Sequence, residues 1–487
     1  MAVALTLLRS GVLTAFEGAH FDSDQALLGL MAKHLAEGRA VPVFAYAHPY
    51  MLGVEAWLAA PAFLIGGVNV PMLILPLTIL NMVVAALLVL GLERAAGLRP
   101  FLALVPASFF ILAAPGTAEL LLEANGSNVE PFLYVLLLWW LRHRPVAFGA
   151  LLAFGVLHRE FTIYAFGALA ILWVLDRGWH RRGVARDAAL GGLGFAAVWQ
   201  VIYLLKQFSS VDGPGTSVGV IAADAGANVA AVASHACVDA ATLPLAAWRI
   251  LNVHVAALLG AVQRPMVNFG INSHLSQGAD WLGPFLALFG GALIVRLFWL
   301  LVRDRQRVWT APLAFSTYLF LVGMQSLAAY GVFKCGVVDV GTMRYGLLGL
   351  FAPIGLTAAY LTCERRPAWR ALVIAAVLVV GVVSARDHVR LAREYLYDRP
   401  ANWRRVMADY LVDHGYRYAR GDFWDADSVT FLANERVIVA STNVVFIREY
   451  QWLVADHLDE AVSIEHHPCP GGSLVFDRVY VCPPGPR

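Results

Sequence analysis

Lysine is nearly absent. It stands only at Lys33, Lys206 and Lys334, so almost all of the 36 basic residues are arginine. With so much Ala, Gly and Val, this points to a GC-rich bacterial genome. Charge of either sign is scarce: Asp, Glu, Lys and Arg make up 14% of the 487 residues, where a soluble domain carries roughly 25%. The formal net charge is only +2, so no global field selects a polyanionic partner. There are five cysteines, with no C-x-x-C pair and no His-rich spacing of the kind that holds zinc. Internal repeats and low-complexity tracts are also missing. What is abundant is apolar: 59% of residues are hydrophobic and the mean hydropathy is +0.65. Such a chain must be solvated by lipid, which excludes a soluble enzyme, a disordered protein and a nucleic-acid binder.

A bilayer is crossed by about 20 apolar residues in a helix, sometimes as few as 17. Strong runs lie at 71–92, 188–205, 282–301, 310–330, 344–361 and 371–384. Shorter ones lie at 3–16, 101–115, 129–141, 145–157 and 161–175. Together they make about eleven spans. Arginine tests that count. With the N-terminus inside, the inner loops hold Arg94 and Arg99; Arg142 and Arg144; Arg177, Arg181, Arg182 and Arg186; Arg303, Arg305 and Arg307; and Arg365, Arg366 and Arg370. Every inner loop is arginine-rich, as the positive-inside rule requires.

The outer face then receives segments 17–70, 116–128, 206–281 and 331–343, and everything after about 385. The first apolar run lacks a basic n-region and a cleavage site and reads as an anchor. It is short and contains Arg9, which leaves room for a start upstream. Segment 240–262 carries Arg249, Asn252 and His254 and reads as an amphipathic helix on the outer leaflet. The chain therefore divides into a transmembrane part, 1–384, and a small extracytoplasmic α/β domain, 385–487, where charge rises. In the latter, Asn402–His414 reads as a helix closed by Gly415. Arg436–Ala440, Ser473–Phe476 and Val479–Cys482 read as strands. Cys469 and Cys482 flank a hairpin turn Pro470-Gly471-Gly472, where they either bridge or stay as two thiols.

The first outer loop is the most informative. His20-Phe21-Asp22-Ser23-Asp24-Gln25 leads into Leu27, Leu28, Met31 and Leu35, an apolar stripe at helical spacing, with Gly38 as a stop. The pattern predicts a helix against the membrane surface. Asp22 with Gln25 imitates a capping box, so Asp22 is the helix cap. Asp24 then falls in the first turn, free to project, where the helix dipole favours its ionised form. Tyr46, His48, Tyr50 and Glu55 follow. They suit either a sugar-binding rim or an aromatic interface belt.

These residues resemble the first outer loop of the GT-C glycosyltransferase superfamily, which includes the protein O-mannosyltransferases and the lipid A aminoarabinose transferase. The resemblance rests on Phe21-Asp22-Ser23-Asp24-Gln25-Ala26, Gly29-Leu30-Met31-Ala32-Lys33-His34, Tyr46-Ala47-His48-Pro49-Tyr50 and Glu55-Ala56. Echoes are Asn128-Val129-Glu130, Arg344-Tyr345, Asp422-Phe423-Trp424 and Asn434-Glu435-Arg436-Val437. It implies a polytopic α-helical membrane protein of GT-C type with an outer C-terminal domain. It also implies a polyprenyl-phosphate sugar as donor and a base in the first outer loop. The family's acidic pair there is Asp-Glu; Asp24-Gln25 keeps the first acid and replaces the second. Asp24 is thus the expected base, with Asp22 as the fallback. No other cofactor is implied beyond a divalent cation that some relatives use.

The chemistry suits these groups. A sugar on a phosphate has a good leaving group, so one carboxylate that deprotonates the acceptor hydroxyl suffices, and displacement inverts the anomeric centre. The departing phosphate needs cationic donors at the outer surface. Candidates are Arg344 and Arg159 first, then Lys206, Lys334 and Arg264; ordinary interfacial snorkelling is the alternative for each. His158-Arg159-Glu160 sets three ionisable groups between apolar runs, a functional candidate or a tight polar loop. Of Glu119, Glu123 and Glu130, Glu130 is favoured, on the family echo, as a second acid contacting the acceptor or a divalent ion. The competing reading is a transporter or flippase for lipid-linked saccharide. The expected place is the bacterial inner membrane, with the site facing out and an acceptor that is glycan, lipid or protein.

Overall fold

Backbone amides inside lipid find no water, so apolar runs fold into helices that satisfy themselves. The computed structural model describes residues 1–18, 21–126, 128–176, 183–210, 243–261, 281–303, 311–333 and 343–484. The helices are α1 (Ala2–Ala15), α2 (Ser23–Ala36), α3 (Val54–Gly66), α4 (Val70–Arg94), α5 (Pro100–Ile111), α6 (Pro115–Leu120), α7 (Glu130–Leu141), α8 (Pro145–His158), α9 (Ile163–Leu175) and α10 (Val184–Lys206). Then follow α11 (Leu282–Arg303), α12 (Ala311–Phe333), a 3-10 segment Met343–Leu350 that runs into α13 (Phe351–Cys363), and α14 (Pro367–Tyr397). Among the described residues, 6 helical stretches are long and apolar enough to cross a membrane: Val70–Arg94, Val184–Lys206, Leu282–Val302, Pro312–Val332, Met343–Cys363 and Pro367–Tyr397. They coincide with the six strong runs. The short runs are helices too, joined by Val54–Gly66 from the first outer loop. This is a multi-pass membrane protein.

The bundle is held by close backbone approach and a few buried polar pins. A Cβ on Gly149 of α8 would lie 1.9 Å from the Gly191 carbonyl oxygen of α10, so only glycine lets these two helices cross there. Arg9 of α1 is buried, and its guanidinium donates to the Phe110 carbonyl and to Asn81 Oδ1, both at 2.6 Å. An arginine inside an apolar segment thus ties α1 to α4 and α5. Segment 243–258 is part of the stretch expected as an amphipathic helix on the outer leaflet. It is helical throughout, and buried His254 packs its ring 4.3 Å from Tyr330 of α12.

The helix containing position 384 continues to Tyr397, so the rise in charge near 385 marks no break in secondary structure. Beyond it stand α15 (Trp403–Asp413), β3 (Tyr418–Gly421), α16 (Phe423–Leu432), β4 (Ile438–Ser441), α17 (Arg448–Ala455), β5 (Val462–Glu465), β6 (Ser473–Phe476) and β7 (Val479–Cys482). The five strands form one sheet in the order β4-β3-β5-β7-β6, after the small β1–β2 hairpin (Phe44–Ala45, His48–Leu52) of the first loop. β3 is parallel to β4 and β5; β7 is antiparallel to β5 and β6. The cysteines do bridge: Cys469 and Cys482 form a disulfide across the β6–β7 end.

α2 corrects the sequence reading most. It does not rest on a membrane surface; nearly all of it is buried between α3 and α16. A Cβ at Gly29 would meet the Phe431 ring at 2.6 Å, so the two helices touch through a glycine. Arg405 of α15 adds an ion pair with Glu17 at 2.6 Å.

Candidate active site

The first turn of α2 sets the geometry. Asp22 has extended backbone and its carboxylate accepts from the Gln25 amide at 3.1 Å, capping the helix. Its carboxyl is raised by burial and then by the charge of Asp24. Asp24, two residues on, points away from the cap. Arg344 at the start of the 3-10 segment donates from Nη1 to Asp24 Oδ2 at 2.9 Å. Both side chains stay accessible, at 22% and 24%.

A second guanidinium stands beside the first. Arg344 and Arg159 lie 5.3 Å and 5.7 Å from the centre of the Tyr345 ring, and Arg159 also lies 5.2 Å from the Phe161 ring. Among the described residues Arg159 meets no carboxylate. Its hydrogen bond runs from Nη1 to the thioether sulfur of Met51 at 3.1 Å, a weak acceptor, and its Nε is buried without a partner. A cation so placed, pinned by aromatic faces and short of acceptors, suits an incoming anion.

Other carboxyls feel the charges of Asp22 and Asp24. Burial, then the charge of Asp22, pushes Glu119 up to about 8. Glu123 is pushed up to about 8 by burial, Asp22 and Glu119. Asp427, from α16, is pushed up to about 7 by burial and by Asp24. His48 on β2 is lowered by burial while it feels the charges of Asp24 and Arg159. These acids do not converge as a cation cage: among the described residues, only Asp422, Asp425 and His466 bring ligating atoms within 4.8 Å of one another. That trio is already committed. Asp422 caps α16, and Asp425 pairs with His466 at 2.7 Å and Arg404 at 3.4 Å.

No protein-family model and no curated protein sequence matches the chain. Solved structures do. ArnT from Cupriavidus metallidurans bound to undecaprenyl phosphate superposes with a TM-score of 0.59 at 12% identity, covering 99% of this chain and 97% of that one. Its apo form gives 0.56 at 10% identity, over 99% and 96%. The apo oligosaccharyltransferase of Archaeoglobus fulgidus gives 0.51 at 13% identity, over 96% and 68%. The chain has the GT-C fold. Identity this low speaks for the fold alone.

Within this GT-C frame, the residues expected at the site sort into three groups. Asp22, Asp24, Arg344, Arg159 and His48 come together. Glu55, Glu130 and His158 do not face them. They are buried at the helix ends behind Arg159: His158 lies between Tyr134 OH (2.8 Å) and Glu55 Oε2 (3.2 Å), and Glu130 Oε1 is enclosed without a partner. His158 of α8 thereby links Tyr134 of α7 to Glu55 of α3. Glu119 and Glu123, not Glu130, are the loop acids that face Asp22. Tyr46 is also no rim residue; its buried hydroxyl meets His34 Nδ1 at 3.1 Å. Lys206 lies 5.4 Å from the Phe44 ring, on the β1–β2 hairpin. Lys334 and Arg264 fall outside the described residues, as does the side chain of Tyr50.

The sequence reading missed Asp427 and Tyr345. Tyr345 was visible only as the neighbour of Arg344. Asp427 carries no signal at all, because nothing in its own helix marks the face that α2 covers.

Proposed function

We propose that this protein transfers a sugar from a polyprenyl-phosphate donor to an acceptor hydroxyl, on the extracytoplasmic face of a bacterial inner membrane. One observation carries the reading: an accessible aspartate at a helix N-terminus, held by one arginine, beside a second arginine that meets no carboxylate among the described residues. ArnT, which shares the fold, binds undecaprenyl phosphate. The arginine-rich loops supply the orientation.

The donor phosphate settles between Arg159 and Arg344. Arg344 holds Asp24 Oδ2 before the donor binds; as the guanidinium turns to the phosphate, Oδ2 is freed to accept a hydrogen bond from the acceptor hydroxyl. The acceptor oxygen then attacks the anomeric carbon and its proton passes to Asp24. The bond from the anomeric carbon to the phosphate oxygen breaks, its electron pair leaves with the polyprenyl phosphate, and the arginines stabilise that charge. The configuration inverts.

Purified protein in proteoliposomes, without any ion gradient, is given radiolabelled polyprenyl-phosphate monosaccharides and a bacterial membrane extract as acceptor. Covalent labelled product is expected. Label that crosses the bilayer with no product formed would establish the flippase reading instead.

A further inference from the structure

We propose that Asp427 of the C-terminal domain is part of the acceptor site, hydrogen-bonding the acceptor's hydroxyl-bearing group against Asp24; this rests on the transferase reading above. The placement follows from one contact. The Ser428 amide donates to Ser23 Oγ at 3.1 Å, and the two hydroxyls lie 3.5 Å apart. Ser23 precedes Asp24 and Ser428 follows Asp427, so the contact brings both acids to the same α2–α16 junction, where Asp427 feels the charge of Asp24. Both serines are fully buried.

Asp427 is 5% exposed, and among the described residues its carboxyl makes no hydrogen bond and no ion pair. Its neighbours Asp425 and Ser428 are both engaged. A buried carboxyl left unpartnered costs free energy, so its persistence asks for a ligand. Burial beside Asp24 favours the protonated form, which both donates and accepts, as a hydroxyl-bearing acceptor requires.

The two substrates then approach from different parts of the molecule. The donor phosphate lies on the bundle side, where Arg159 and Arg344 stand. The acceptor lies on the domain side, where Asp427 stands, with Asp24 between. Asp427 takes no proton and makes no covalent bond; it holds the hydroxyl that Asp24 deprotonates. The C-terminal domain is thereby a component of the site rather than an appendage.

The test uses the full-length protein and the same labelled donor and membrane extract, at graded extract concentration. Asp427→Ala should raise the extract concentration for half-maximal rate about tenfold, the cost of one lost hydrogen bond, whereas Asp427→Asn, whose amide also donates and accepts, should raise it less. Affinity for undecaprenyl phosphate should change less than twofold. Wild-type dependence on extract in both variants overturns the proposal. So does an equal loss of undecaprenyl phosphate binding, which marks a structural residue. Independently of activity, Ser23→Cys with Ser428→Cys should form a disulfide on mild oxidation; failure to do so removes the placement. If wild-type protein makes no product, the transferase reading falls and takes this one with it. If Asp24→Asn is inactive while both Asp427 variants match wild type, only this inference falls.

Discussion

The two ends of α2 treat charge in opposite ways. At its C-terminal end every group is paired. Glu435 accepts from Lys33, from Arg39 at 2.7 Å and from Tyr450 at 2.8 Å, and meets His34 Nε2 at 3.2 Å. Burial alone would raise Glu435, yet the hydrogen bonds from His34, Arg39 and Lys33 hold it well below the usual carboxylate range. At the N-terminal end, 14 residues of helix away, acids act on one another's charge and Arg159 meets no carboxylate among the described residues. One end is a clasp that fastens the C-terminal domain to the helix. The other leaves charged groups without a full set of partners among the described residues, at the place proposed for substrate. A helix whose far end is locked can hold its first turn rigidly without pairing the charges there.

Breaking the open end should have the largest effect. Asp24→Asn keeps the shape but cannot accept a proton, so transfer should fall about a thousandfold. Undecaprenyl phosphate binding should persist, and Tm should hold within a few degrees. Normal transfer by this variant in proteoliposomes would remove Asp24 as the base. Breaking the closed end comes next. Glu435→Ala leaves Lys33 and His34 buried without their acid, at a cost of about 3–5 kcal/mol. A lowered Tm and freer proteolysis of residues beyond α14 should report it, and an unchanged Tm would show that the clasp is ornamental.

Arg159→Ala should weaken undecaprenyl phosphate binding about tenfold, the worth of one charge-assisted contact, with little change in Tm. The same loss of Tm as in Glu435→Ala would mean that Arg159 is structural.

The smallest effect sharpens the comparison, because the two ends have opposite pH dependence. Glu119 and Glu123 rise from 4.5 to about 8 in the folded chain. The folded state therefore holds more protons than the unfolded one across that window, and their contribution falls as pH rises through it. Glu435 is lowered, so its contribution is full above its unfolded value of 4.5 and is lost as pH falls below that. Tm at constant ionic strength should decline toward pH 8, and Glu119→Gln with Glu123→Gln should flatten that limb alone. A limb that rises with pH would show these acids to be ionised throughout.

Much of the fold was legible. The six long spans are written in hydropathy, and the start of α2 is written in Asp22 and Gln25, three apart. Gly38, with φ of 68°, stops it as expected. The β6–β7 hairpin was marked by Pro470-Gly471-Gly472 between strands. Asp24 and Arg344 were each visible, one as a first-turn acid and the other as a cation at a span end. The burial of α2 was not. Its partner Glu435 lies 402 positions from Lys33, and an apolar stripe on one face cannot show that the polar face is covered too.

Local pattern therefore determined what each segment is: period and apolarity select helix, and a short polar side chain selects the cap. These depend on neighbours within a few residues, so the chain states them outright. Which groups meet was decided only by the tertiary structure. Arg344 reaches Asp24 across 320 positions, and Ser428 reaches Ser23 across 405. Charge pairing and burial act through space, and no spacing along the chain encodes a distance across it.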